Sequence, residues 1–136
     1  YQGEVAAIYE SAGQGGWRRK VSSYSGLATD GKTLYLSDDQ NVVWAVDTRD
    51  GAALWKKEAL RGRRLSGPAA VGGLVVVGDF EGNLHWLSPN DGRMGARTRV
   101  GSAPITAQPR TADGILYVLG EDGDLAALRV GGAAAP

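Results

Sequence analysis

The chain has 136 residues, carries 15 basic and 15 acidic side chains, and contains no cysteine. This length fits one ordinary domain, and the zero net charge gives no general attraction to nucleic acid or to an anionic membrane. Without cysteine there is no disulfide or thiolate site, and the sequence does not indicate whether the protein works in an oxidising or a reducing compartment. No apolar run approaches the roughly 18 residues of a membrane-spanning helix.

Short strands separated by glycine-containing turns are predicted along the whole chain. The first strand covers 3–8, and a turn ending at Gly13 leads to a strand that carries Trp17. The next unit runs through strands at 24–29, 32–37 and 41–46 to a strand at 52–58 that carries Trp55. Later strands are predicted at 66–71, 74–78, 83–87, 93–100, 105–112, 115–119 and 124–130. Because no long segment shows the apolar spacing of an amphipathic helix, we expect an all-β fold.

The strand–turn–strand unit at 41–55 recurs with a period near 40 residues. Its strand begins at positions 3, 41, 82 and 123, and its turn glycine recurs as Gly13, Gly51 and Gly92. Such a period, with strands throughout, is the signature of a β-propeller blade. The strands are apolar at successive positions, which indicates burial on both faces, as in a blade stacked between two others.

The repeat predicts a partial propeller of about three and a quarter four-stranded antiparallel blades. Residues 1–130 would form the last two strands of one blade, two complete blades and the first three strands of a fourth, and 131–136 would form a flexible tail. The N-terminus of a longer chain can supply the missing strand, so we expect a natural C-terminus here and a missing N-terminal part. The bare apolar faces of an incomplete ring predict self-association.

Residues Ala45-Val46-Asp47, Gly51 and Trp55 resemble the quinoprotein-type, tryptophan-docked propeller repeat. In that repeat Trp17 and Trp55 would hold the blade-docking position, with Gly13, Gly51 and Gly92 in the turns. The order of segments is similar to the C-terminal part of the BamB family, lipoproteins of the machine that assembles outer-membrane β-barrels. This similarity rests on the stretches 35–38, 63–68, 75–82, 85–87, 91–93 and 125–129. Ala96 departs from the repeat by replacing the docking tryptophan, which predicts a weaker blade contact.

The resemblance implies an eight-bladed parent ring at the periplasmic face of the outer membrane. We expect its N-terminal lipid anchor to lie outside this chain. It further implies a non-enzymatic, cofactor-free scaffold that binds proteins, with the periplasmic domains of the barrel assembly protein as partners. Two alternatives remain open: a fragment of a quinone-dependent dehydrogenase propeller, and a ligand-binding propeller of another kind.

Candidate chemical groups are confined to turns and to one histidine. His85 is the only histidine, and a lone histidine has no convergent partners for catalysis or metal binding. Carboxylates recur in the turns as Asp38, Asp39, Asp79, Glu81, Glu121, Asp122 and Asp124, but aspartate is a usual turn residue and the spacing matches no calcium loop. We therefore predict no catalytic or metal site. Arg61, Arg63 and Arg64 form the densest basic stretch, which is either a solvated loop or a contact for an acidic partner surface.

Overall fold

The computed structural model describes residues 2–9, 14–22, 24–60 and 62–130. This part of the chain forms thirteen strands and no helix, which confirms the all-β prediction. Correspondingly, it holds no helix long and apolar enough to cross a membrane. The strands are β1 (Gln2–Tyr9), β2 (Gln14–Ser22), β3 (Tyr24–Thr29), β4 (Thr33–Asp38), β5 (Val43–Asp47), β6 (Ala53–Lys57), β7 (Ala69–Val71), β8 (Leu74–Gly78), β9 (Asn83–Leu87), β10 (Met94–Arg99), β11 (Arg110–Ala112), β12 (Ile115–Leu119) and β13 (Leu125–Arg129).

The strands form four antiparallel sheets in which each strand pairs with its neighbour in sequence. The first sheet contains β1 and β2, the second β3 to β6, the third β7 to β10 and the fourth β11 to β13. Such successive meanders of up to four strands are the blades of a β-propeller. The predicted fold class, a partial propeller, is confirmed.

Equivalent turns begin the third strand of three successive sheets. Asn41, Gly82 and Gly123 precede β5, β9 and β13 and have φ angles of 62°, 87° and 90°. Glycine and asparagine tolerate this left-handed region better than other residues do. The recurrence of these two residue types at the repeat boundary therefore has a steric cause.

Apolar layers lie between adjacent sheets. Between the second and third sheets, the buried set consists of Tyr35, Val43, Ala45, Leu60, Leu65, Val75, Val77 and Leu87. Between the third and fourth sheets, it consists of Ala69, Val71, Val76, Leu84, Trp86, Ile105, Leu116 and Val118. Every residue of β9 is buried because this strand has one layer on each face. The continuous apolar runs of the sequence reflect this two-sided burial.

The first strands of the third and fourth sheets are shorter than predicted, whereas β3 has the predicted bounds. Strands were expected at 66–71 and 105–112, but β7 and β11 have only three residues each. Pro68 and Pro109 end the pairing because proline has no N–H to donate to a ladder. Just before β11, Gln108 Nε2 donates to the carbonyl oxygens of Leu27 and Pro68, both at 2.8 Å. One side chain thus joins the inner edges of three sheets.

Tryptophans on the outer strands contact the turn of the following sheet. Trp17 Nε1 donates to Thr48 O at 2.8 Å, and Trp55 Nε1 donates to Pro89 O at 2.8 Å. Each indole lies flat against a glycine: a Cβ atom added at Gly51 would stand 2.6 Å from the Trp17 ring, and one at Gly92 would stand 2.6 Å from the Trp55 ring. Of the predicted docking residues, Gly13 lies outside the described residues.

A β-bulge precedes each docking position. The register shifts by one residue before Trp17, before Trp55 and before Ala96, so positions 16, 54 and 95 are the extra residues. A bulge twists a strand and re-aims the next side chain. We attribute the orientation of both indoles toward the next sheet to this shared irregularity.

Candidate partner-binding surface

The predicted basic patch lies in the connection between β6 and β7, and its members have different surroundings. Arg61 is outside the described residues. Arg63 is half-buried, with Nη1 3.5 Å from Asp79 Oδ2 and 3.3 Å from Glu81 Oε1. Arg64 is exposed and has a φ of 51°. The structure therefore places Arg63 against an acidic turn of the same chain and Arg64 at the surface.

Asp79 is the centre of that acidic turn. Its Oδ1 accepts hydrogen bonds from the backbone N–H groups of Glu81 at 2.8 Å and Asn83 at 3.0 Å. Its Oδ2 lies 2.7 Å from His85 Nε2 and 3.3 Å from Asn83 Nδ2. Burial alone would raise the pKa of Asp79, but hydrogen bonds from His85, Asn83 and Glu81 outweigh it and hold the pKa below 3.8. The carboxylate is thus an ionised, fully buried turn anchor.

The second sheet contains the same arrangement of an aspartate, two backbone N–H groups and a ring nitrogen, one repeat earlier in the chain. Asp38 Oδ1 accepts from the N–H groups of Gln40 at 2.9 Å and Val42 at 3.0 Å, and its Oδ2 accepts from Trp44 Nε1 at 2.8 Å. His85 therefore occupies the place of Trp44, and its ring nitrogen meets the carboxylate as the indole N–H does. The sequence analysis missed this pairing. In both repeats, an aspartate precedes by six positions a residue whose ring carries a nitrogen, Trp44 or His85.

This arrangement supports the turns and leaves little access for chemistry. His85 is 1% exposed and Asp79 is fully buried, so a substrate at the surface cannot reach either group. His85 Nδ1 has no hydrogen-bond partner among the described residues. In the same part of the chain, no group of three or more histidine, cysteine or carboxylate side chains is arranged to hold a metal ion.

At the outer end of the third sheet, a cavity lies where a docking tryptophan is missing. Ala96 occupies the position of Trp17 and Trp55, and beside it a space of about 460 Å³ opens between β9, β10 and β13. Trp86, Met94, Leu128 and Val130 provide much of its apolar wall. The sequence analysis identified the departure at Ala96 but did not predict a cavity.

Comparison with known protein families gives a consistent result. The profile of a family described as outer membrane protein assembly factor BamB matches residues 1–57 and 41–133. The protein of that name from Alkalilimnicola ehrlichii is 42% identical over 130 residues, which cover 96% of this chain and 34% of the relative. Its namesake from Escherichia coli is 37% identical over 123 residues, covering 90% of this chain and 31% of the relative. The chain thus spans about a third of the curated relatives that it matches.

Solved structures show the same fold. The crystal structure of BamB from Moraxella catarrhalis superposes with a TM-score of 0.84 and 25% identity, over 92% of this chain and 37% of that one. A quinohemoprotein alcohol dehydrogenase from Pseudomonas putida superposes with a TM-score of 0.64 and 22% identity, over 84% of this chain and 20% of the enzyme. At 22% identity, the similarity to the alcohol dehydrogenase shows a shared fold and says nothing about function.

Proposed function

Because the chain belongs to the BamB family, we propose that it forms part of a protein-binding scaffold in outer-membrane protein assembly. The match over 96% of the chain to a relative named as an assembly factor carries this proposal. We place the parent protein at the periplasmic face of the outer membrane. We also propose that it binds periplasmic domains of the barrel assembly protein and catalyses no reaction.

The geometry supports a scaffold more than an enzyme. The strands use their side chains for packing between sheets, so binding groups must come from the turns and outer edges. In the turns, Asp38 and Asp79 hold the backbone through several hydrogen bonds each. Rigid turns with exposed charges provide a fixed pattern of charge, which mainly governs the rate and register of encounter.

Arg64 is the member of the basic patch best placed for such a contact. It is exposed, whereas Arg63 is engaged with Asp79 and Glu81. Arg61 stays in the proposal as a sequence prediction. We therefore compare Arg64→Ala alone with the triple alanine variant, rather than treating the patch as one unit.

Co-purification from cells tests the scaffold proposal. The full-length protein that contains this chain should co-purify with components of the assembly machine. Its failure to co-purify with any of them would contradict the proposal. The dehydrogenase alternative predicts saturable binding of a quinone cofactor with calcium and dye-linked alcohol oxidation, whereas the scaffold proposal predicts neither.

A kinetic measurement tests the basic patch. Binding of the full-length protein to the periplasmic domains of the barrel assembly protein should be slower for Arg64→Ala and for the triple alanine variant at 61, 63 and 64. The difference should shrink as salt rises, since screening weakens exposed charges. Arg49→Ala is the control, because Arg49 is an exposed arginine in a different turn and pairs with Asp47. If the association rates stay unchanged across the salt series, the basic patch takes no part in binding. The scaffold proposal would not be affected by that result.

A further inference from the structure

A phenylalanine is exposed in the turn between β8 and β9. Phe80 is 38% exposed and is the only phenylalanine of the chain. Among the described residues, every other large apolar side chain of comparable exposure lies in a strand. Single exposed apolar residues are common on protein surfaces, so the meaning of this one depends on its surroundings.

The fold does not require an aromatic residue at this position. The equivalent turns of the second and fourth sheets carry Asp39 and Glu121, which are exposed carboxylates. In two of these turns the position contributes a backbone bond: Phe80 N donates to Arg63 O at 3.0 Å, and Glu121 N donates to Pro104 O at 2.9 Å. Because the side chain takes no part in that bond, the Phe80 ring is left for a contact outside the chain.

The turn that carries the ring is fixed by hydrogen bonds on both sides. Asp79 Oδ1 accepts from the backbone N–H groups of Glu81 and Asn83. The carbonyl oxygen of Asp79 accepts from Ile105 N at 2.9 Å, which ties the turn to the connection before β11. A group that is already held in place loses less conformational entropy on binding. Phe80 is therefore a preorganised apolar contact.

An exposed arginine lies next to this turn. The carbonyl that accepts from Phe80 N belongs to the peptide bond between Arg63 and Arg64, and Arg64 is exposed. The loop is held there because Leu65 is buried and its N–H donates to Asn41 Oδ1 at 2.9 Å. Aromatic residues and arginine are enriched in protein interfaces. The structure thus combines both residue types on neighbouring rigid turns.

The charge beside the ring indicates the kind of partner. Glu81 is the exposed carboxylate of the same turn, and its Oε1 lies 3.3 Å from Arg63 Nη1, which neutralises it. Arg64 forms no ion pair with any residue that the structure describes. The charge that remains for a partner is therefore positive, and a partner surface with Asp or Glu beside an apolar pocket is complementary to it.

We propose that Phe80 anchors a protein–protein contact in which its ring enters an apolar pocket of a partner protein. Acidic residues at the rim of that pocket face Arg64. This inference rests on the proposed scaffold function and deepens it, because it names an apolar anchor and the chemistry of the partner surface.

Affinity measurements with the full-length protein test the anchor. The probe is the purified periplasmic domains of the barrel assembly protein, in surface plasmon resonance. Phe80→Ala and Phe80→Asp should weaken binding by about tenfold or more, as loss of a central aromatic anchor does. The turn should fold with aspartate, because Asp39 holds the same place in the second sheet. Phe80→Tyr should keep most of the affinity.

An apolar residue of equal exposure provides the matched control. Leu74 is 37% exposed and begins β8, at the opposite end of the strand from the turn that carries Phe80. Leu74→Asp should leave the affinity unchanged. Circular dichroism and urea unfolding should show that all variants stay folded.

Salt dependence separates the ring from the charge. The loss in Phe80→Ala should be the same at low and high salt, whereas the loss in Arg64→Gln should shrink as salt rises. Parent-like affinity of a folded Phe80→Ala variant would overturn the inference, and so would an equal loss in Leu74→Asp. If Phe80→Ala lowers only self-association, a second copy is the occupant and the inference is wrong.

The proposed function and this inference can fail separately. If the parent protein binds and co-purifies with the assembly machine while Phe80→Ala behaves like it, only the role of Phe80 is refuted. If the parent protein neither binds nor co-purifies, both are refuted.

Discussion

Replacing Gly92 by alanine measures how strongly tryptophan docking holds two sheets together. The added Cβ would stand 2.6 Å from Cε3 of Trp55, closer than carbon atoms approach. The indole cannot retreat easily, since its N–H is bonded to Pro89 O at 2.8 Å and its ring lies 6.1 Å from the Tyr35 ring, centroid to centroid. Overpacking of this kind costs roughly 1–3 kcal/mol.

Backbone strain adds to the steric clash. Gly92 has a φ of 75°, where an alanine is disfavoured by about 1–2 kcal/mol. The free energy of unfolding should therefore fall by roughly 2–5 kcal/mol in Gly92→Ala. Gly73 provides a matched control, because its φ is 76° and a Cβ there would meet nothing within 4 Å. Gly73→Ala should lose only the strain contribution of about 1–2 kcal/mol.

Urea unfolding followed by tryptophan fluorescence and circular dichroism gives both free energies. In a Trp55→Ala background, the effect of Gly92→Ala should drop to that of Gly73→Ala, since the clashing ring is gone. Equal destabilisation by the two glycine substitutions in the parent chain would refute the reasoning. The reasoning would also be refuted if Gly92→Ala destabilised the Trp55→Ala background as much as it destabilises the parent chain.

Three other predictions concern two titrating groups and one exposed face. Asp79→Asn should destabilise the fold by roughly 1.5–3 kcal/mol at neutral pH, because hydrogen bonds to a buried charge are lost. Since the folded pKa of Asp79 lies below 3.8, its contribution is complete above that pH and is lost as the pH falls through the folded value. Acid unfolding of Asp79→Asn should therefore be less steep than that of the parent chain, and the exposed Asp39→Asn is the control. Burial and the hydrogen bond to Asp30 raise the pKa of Tyr35 to about 12. Between pH 10.0 and about 12, the folded protein therefore keeps the phenol proton that an unfolded tyrosine has lost. Stability supplied by Tyr35 should decline between about pH 10 and 12, and Tyr35→Phe should remove both this decline and the late phenolate step in ultraviolet absorbance. Leu125 is 69% exposed and shares the outer face of the last sheet with Tyr117 and Leu119, so the chain should self-associate in analytical ultracentrifugation and Leu125→Glu should reduce this. Leu54→Glu, on an outer strand away from that face, should leave association unchanged, and a monomeric parent chain at high concentration would contradict the prediction.

The sequence alone determines the all-β class and the boundaries of most turns, because these depend on local chemistry that repeats. Asn41, Gly82 and Gly123 stand where the backbone needs a positive φ, and that requirement is readable from residue type. The buried strands are equally readable where they are apolar at successive positions, as in β8, whose residues Val75, Val76 and Val77 are all buried. β7 and β11 were predicted too long because the sequence pattern gives no sign that Pro68 and Pro109 stop the pairing.

Only the tertiary structure decides the role of the charged and polar groups. Arg63 belongs to a basic cluster in the sequence, yet in the fold it faces Asp79 and Glu81, which lie in the turn between β8 and β9 of the third sheet. His85 is a lone histidine in the sequence, but in the structure it is buried between two sheets and its Nε2 lies 2.7 Å from Oδ2 of the turn anchor Asp79. The cavity beside Ala96 is likewise invisible in the sequence. It exists because a small side chain stands between two sheets whose spacing is set elsewhere, and the packing of distant strands cannot close over it.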